Sequence, residues 1–236
     1  PDKYVGAILY NDYNLPPARV RQVHKNLALI RVLNSAWQCF GPEREALDRE
    51  RVEEWTRLGI KPYLYDIFYL PRWSCGVLNP HVSVVVKRVR FWREQGIPGA
   101  YVYVYPSWET GGPSAYLMAK LFWNPEADAE AILREYYRDL YGNAASTVRA
   151  YYDLAERSWA EAFAGQAKPS PQIESYLNGS RAQLGRMLLA AAPIVRKGGP
   201  LLDSAARQAG DDVVTERLRR LRQHHDLLAE SSRGLL

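Results

Sequence analysis

Three acids stand where apolar runs end, and each has aromatic company. Glu109 follows the alternating run Tyr101-Val-Tyr-Val-Tyr105 and comes directly after Trp108. Asp66 is embedded in Tyr63-Leu-Tyr-Asp-Ile-Phe-Tyr69, with Trp73 just beyond. Asp12 follows Tyr10 and Asn11 at the close of the run Val5 to Tyr10. A fourth run, Leu27 to Leu33, ends in Asn34 and Trp37 without an acid. Two carboxyl groups flanking a bond, with flat aromatic faces on which pyranose rings rest, are the equipment of glycoside hydrolysis. On that reading Glu109 and Asp66 are the candidate catalytic carboxylates. Trp108, Trp73, Trp37, Tyr10, Asp12, Tyr105 and Tyr69 are the candidate substrate contacts. Each acid also has a plainer reading: an exposed loop glutamate at 109, an aspartate bonded to turn amides at 66, and ordinary Asn-Asp turn chemistry at 11–12.

Other chemistries find no support in the residue spacing. There is no HxH, HExxH or Cys-rich ligand pattern, so no metal is expected. No GxGxxG, phosphate-binding loop or GxSxG elbow is present, so no nucleotide cofactor and no serine-hydrolase chemistry is expected. His24 and His81 fall at helix margins and His224-His225 on the last helix, which makes them poor catalytic candidates. Cys39 and Cys75 both fall in loops after strands, and two cysteines make neither a disulfide framework nor a metal site. Asn178-Gly-Ser180 fits the glycosylation triplet, a pattern common by chance.

The 16 tyrosines and 7 tryptophans outnumber the 5 phenylalanines, and aromatics with a polar edge suit saccharide clefts and interfaces alike. The net charge of +5 is dispersed among helix faces of mixed sign such as Glu43 to Arg57. Arg217 to Arg222 is the exception, a basic amphipathic stretch, yet no nucleic-acid partner is expected from it alone. No apolar run approaches the ~20 residues that span a bilayer. The chain opens at Pro1 without a leader, which reads as a processed or excised piece and leaves the compartment unknown.

The elements that must position these residues alternate. Strands are expected over Val5 to Tyr10, Leu27 to Leu33, Ile60 to Leu70 and Ala100 to Tyr105. Ala18 to Lys25 is a short candidate helix after Pro16-Pro17. Further helices are expected from Pro42 to Leu58, Pro80 to Gln95 and Ser114 to Trp123. Strands thirty to forty residues apart, bridged by helices, describe parallel β/α units. After Pro125 only helices are predicted: Asp128 to Tyr141, Ala144 to Phe163, Gln172 to Val195 and Leu201 to Leu228, with Gly198-Gly199-Pro200 as a break. The expected architecture is therefore α/β over residues 1–125, four β/α units of a TIM-barrel-like fold, followed by an all-α region over 126–236. Four units cannot close an eight-stranded barrel, so either the first half lies before Pro1 or the four form an open sheet.

The run Ala115-Tyr-Leu-Met-Ala-Lys-Leu-Phe-Trp-Asn-Pro125, then Asp128, Tyr136-Tyr137 and Leu140-Tyr-Gly142, resembles a widespread uncharacterised family. Its members are in turn similar to the TIM-barrel α-glucuronidases and β-hexosaminidases. The resemblance implies that the four strands are the last four of a barrel, with Asp66 ending the seventh and Glu109 the eighth. In the α-glucuronidase-like scheme it implies that these acids assist an attacking water in an inverting reaction, with a general acid from an earlier strand. The Asp-Glu pair of substrate-assisted hexosaminidases is not found here. The resemblance further implies a carbohydrate substrate, a secreted or periplasmic setting, and the missing N-terminal half of the barrel as a partner. Two other readings stand beside a glycosidase: a non-catalytic carbohydrate-binding protein on the same scaffold, and an interaction module built on the helical half.

Overall fold

The computed structural model describes residues 3–33, 42–67, 78, 80–103, 108–164 and 181–233. Four strands, β1 (Val5–Leu9), β2 (Leu27–Leu33), β3 (Tyr63–Ile67) and β4 (Ala100–Tyr103), form one parallel sheet in sequence order. Helix α1 (Pro42–Arg57) connects β2 to β3, and α2 (Val82–Glu94) connects β3 to β4. Helix α3 (Trp108–Trp123) follows β4, and then come α4 (Ala129–Tyr141), α5 (Ala145–Phe163), α6 (Arg181–Gln208) and α7 (Asp212–Arg233). The mixed class and the helical C-terminal region are those expected from the sequence.

Side-chain alternation separates the sheet into two faces. Leu9 and Leu29 pack on Trp55 of α1, while Leu33 and Leu64 join the core with Val85 and Val89 of α2. The other face carries Ile8, Ile30, Tyr63, Tyr65 and Tyr101, which share it through the register Ile8↔Ile30↔Tyr63 and Tyr65↔Tyr101. Ile8 is 62% exposed and Tyr101 63%. Parallel sheets are ordinarily covered on both faces, so this open side is unusual.

Two helices differ from expectation, and proline and glycine are the reason in both. Gly111-Gly112-Pro113 reads as a loop, yet α3 begins at Trp108 and runs through it. Pro113 has no N–H to give the carbonyl four residues back. That carbonyl, on Glu109, instead accepts a hydrogen bond of 2.8 Å from the Tyr152 hydroxyl. Gly112 leaves room for the Tyr136 hydroxyl and the Trp108 indole, which a β-carbon would strike.

In the same way Gly198-Gly199-Pro200 lies inside α6 instead of ending it. A β-carbon on Gly198 would stand 2.6 Å from the Tyr151 ring, so the glycine serves close helix packing. The break comes at residues 209–211, where the Asp211 side chain accepts from the Val214 amide at 2.8 Å. Residues 18–25 are turn and irregular chain, not a helix. Eight residues that offer only Val20 and Val23 for packing do not repay helix nucleation.

Candidate active site

The two candidate carboxylates occupy different settings. Asp66 lies on the helix side of β3 and is fully buried. Arg88 of α2 donates to it from Nη1 at 2.9 Å and to Asp48 of α1 from Nη2, also at 2.9 Å. Arg31 of β2 stands 3.6 Å from Asp48 and is itself fully buried. An aspartate in so apolar a strand requires a partner, and among the described residues it finds the Arg88 guanidinium. This network ties two strands to two helices. No solvent reaches the Asp66 side chain.

Glu109 stands in the first turn of α3, just past the carboxyl end of β4. The positive end of the helix dipole favours a carboxylate there. Its side chain is 20% exposed, and His224 of α7 approaches with Nε2 at 3.8 Å from Oε2. Trp108 beside it is 47% exposed, with its ring centroid 6.2 Å from that of Tyr136. Tyr136 in turn meets Tyr116, Tyr137 and Tyr141 at centroid separations of 5.4, 5.1 and 6.4 Å. Burial pushes the hydroxyls of Tyr136, Tyr137 and Tyr152 far above the ordinary tyrosine range, so all three remain neutral. Glu109 and Trp108 thus sit on a floor of buried neutral tyrosines. A half-exposed indole next to an accessible carboxylate can stack on a sugar ring and act on a proton beside it.

The remaining candidates divide by placement. Tyr10 follows β1, half-buried, and lies near Tyr65, as do Tyr101 and Tyr103. The Tyr65 and Tyr101 rings meet at 5.0 Å. Asp12 is in the 3-10 turn Asn11–Asn14 after β1, its side chain outside the described residues. Trp37, Tyr69, Trp73 and Tyr105 also lie outside the described residues, as do Cys39 and Cys75. Trp55, Trp92 and Trp159 are core, whereas Trp123 is 92% exposed at the last position of α3.

His224 is the residue that sequence reasoning passed over. Its neighbour His225 is buried and meets the Tyr151 hydroxyl through Nδ1 at 3.1 Å. Burial, with Arg222 adding to it, holds the His225 pKa below the usual histidine value. The only sequence signal was the His-His pair on an amphipathic helix: one residue turns inward, and the next lies 100° around.

The arginines of α7 are answered largely by nearby acids. Arg219 and Arg220 bond Glu216, Arg222 bonds Asp203 and Asp226, and Arg217 donates to the Leu140 carbonyl. Among the described residues no cluster of metal-ligating side chains occurs, and no helix is long and apolar enough to cross a membrane.

The family described as Domain of unknown function (DUF4838) matches residues 1–153. The chain belongs to that family. The match runs from the sheet through α4 and into α5, so it takes in Glu109, Trp108 and the tyrosine floor, whereas His224 lies beyond it. No curated protein and no solved structure matches the chain.

Proposed function

We propose that the chain forms part of a TIM-barrel-like glycoside hydrolase acting on a polysaccharide or glycan, with Glu109 as a catalytic carboxylate and Trp108 as a sugar platform. The observation that carries this reading is the adjacency of a half-exposed indole and an accessible carboxylate at the carboxyl end of a parallel strand. Support for barrel-like closure comes from the sheet itself. Its strands follow sequence order, α1 and α2 pack on one face, and the other face presents Ile8, Tyr63, Tyr65 and Tyr101. Four further β/α units would bury that face as a barrel interior. Asp66 holds strand to helix in this reading, since its carboxylate is buried against Arg88.

With Asp66 buried, the second carboxyl group that hydrolysis requires has to come from elsewhere, such as an earlier strand; without one, the same scaffold is a carbohydrate-binding protein, the second reading. A glycan screen that scores binding and released product separates the two. It is run on this chain and on the longest natural form of the protein, with uronic-acid and amino-sugar substrates included. Product that disappears in Glu109→Gln establishes the hydrolase. Binding without product in every form establishes the binding protein.

A further inference from the structure

The helical region reaches into the candidate site from a direction the sequence does not announce. Its last helix, α7, is fixed in rotation by three contacts. Leu218, Leu221 and Leu228 are buried, His225 meets Tyr151, and Arg217 Nη1 donates to the Leu140 carbonyl at 2.8 Å. Gly198 allows this docking, since a β-carbon there would stand 3.1 Å from the His225 ring and closer still to Tyr151. With His225 turned inward, the preceding residue faces α3, and His224 Nε2 lies 3.8 Å from Glu109 Oε2. Meanwhile Tyr152 of α5 holds the Glu109 main chain through its carbonyl. The backbone of Glu109 is therefore held by one helix of the C-terminal region, and its carboxylate is approached by another.

We infer that His224 is a positioning residue for Glu109, and that α7 completes the site which the sheet begins; this rests on the reading of Glu109 as the working carboxylate. The separation of 3.8 Å is beyond a direct hydrogen bond and within the range of a single bridging water, or of charge attraction whenever the imidazole carries a proton. The two side chains are 27% and 20% exposed, so the pair is reachable by substrate yet partly withdrawn from bulk solvent. An ordinary surface ion pair would add a little stability and nothing else. A positioning pair must in addition set the orientation of the carboxylate.

The test uses the full chain with glutamate labelled at the carboxyl carbon, the Glu109 resonance being identified by its disappearance in Glu109→Gln. In His224→Ala the Glu109 resonance is expected to move, and in His224→Gln, which keeps an amide donor, to return toward its original position. A resonance unmoved in His224→Ala, with the thermal midpoint retained, overturns the inference. On a glycan found to be hydrolysed, His224→Ala should lower kcat on the order of tenfold or more with KM unchanged, because misplacing a reacting group is costly. Unchanged kcat there also overturns it. If no form of the protein releases product, the hydrolase reading falls and His224's role with it. An unmoved resonance alongside product release removes only the role given to His224.

Discussion

The sheet half and the helical half solve the same problem, burying polar groups, by opposite means. Around the sheet the buried polar groups that link strands to helices are charges, namely Arg31, Asp48, Arg88 and Asp66. In the helical half they are neutral, with the hydroxyls of Tyr136, Tyr137, Tyr151 and Tyr152 and the imidazole of His225. Charges demand partners at fixed positions and punish the loss of any one. Tyrosines contribute apolar area and need only one partner each. The sheet half also leaves a face open, whereas the helices enclose a core around Trp159, Tyr151 and Leu221. One half leaves Ile8 and Tyr101 exposed on a sheet face; the other already packs against itself.

That contrast can be broken most forcefully at Arg88. Arg88→Met should leave Asp66 and Asp48 buried with too little compensation and cost about 3–5 kcal/mol, read by urea denaturation. A loss under 1 kcal/mol would mean the network is not what joins α2 to β3. Gly198→Ala tests the tight packing of the helical half. The new methyl group should cost about 1–3 kcal/mol through overpacking against Tyr151. An increase in stability would show that α6 has room to shift. Tyr152→Phe removes only the hydroxyl that serves the Glu109 carbonyl and should cost about 1 kcal/mol. If Glu109 and Trp108 stay in place at no cost, Pro113 requires no such compensation.

The two halves should also differ in acid. The His225 pKa is lowered in the folded state from 6.5, so the unfolded chain binds the proton more readily. Its contribution to stability is complete above about 6.5 and declines as pH falls through that value toward the lower folded pKa. Arg222, Asp226 and Asp203 face the same ring and act in opposing directions. His225→Gln should flatten this part of the stability profile, and an unchanged slope between pH 7 and 5 would remove His225 as its source. The smallest effect belongs to the open face. Ile8→Ser and Tyr101→Ser should each change the stability of this chain by no more than about 0.5 kcal/mol. The same changes should cost several-fold more in a longer form whose added units cover the face. Equal small effects in both forms would argue against barrel closure.

Much of the architecture was legible because periodicity is local. The four strands, α1, α2 and the Asp128 cap, which accepts from the Glu130 and Ala131 amides, all follow from nearby residues. What was not legible depends on partners far along the chain. Gly111-Gly112-Pro113 looks like a loop until Tyr152, forty-three residues after Glu109, supplies the hydrogen bond that Pro113 cannot. Asp66 looks like a cleft residue until Arg88 is placed against it. His224 could not be linked to Glu109 by spacing at all, since the link exists only through the docking of α7. Candidate residues at strand ends were found; their roles were set by tertiary partners.

The borrowed hydrogen bond at Glu109 also bears on the order in which the molecule opens. Where Pro113 interrupts the first turns of α3, the missing link is supplied from α5, so that turn cannot close on its own. Amide protons at Thr110, Gly111, Gly112 and Ser114 should then exchange with solvent at the rate of the helical region, as members of its cooperative unit rather than of the sheet's. A protease that clipped the chain near Pro125 and released the helices would unwind the turn that carries Trp108 and Glu109. The candidate site would be lost without a single residue of it being cut.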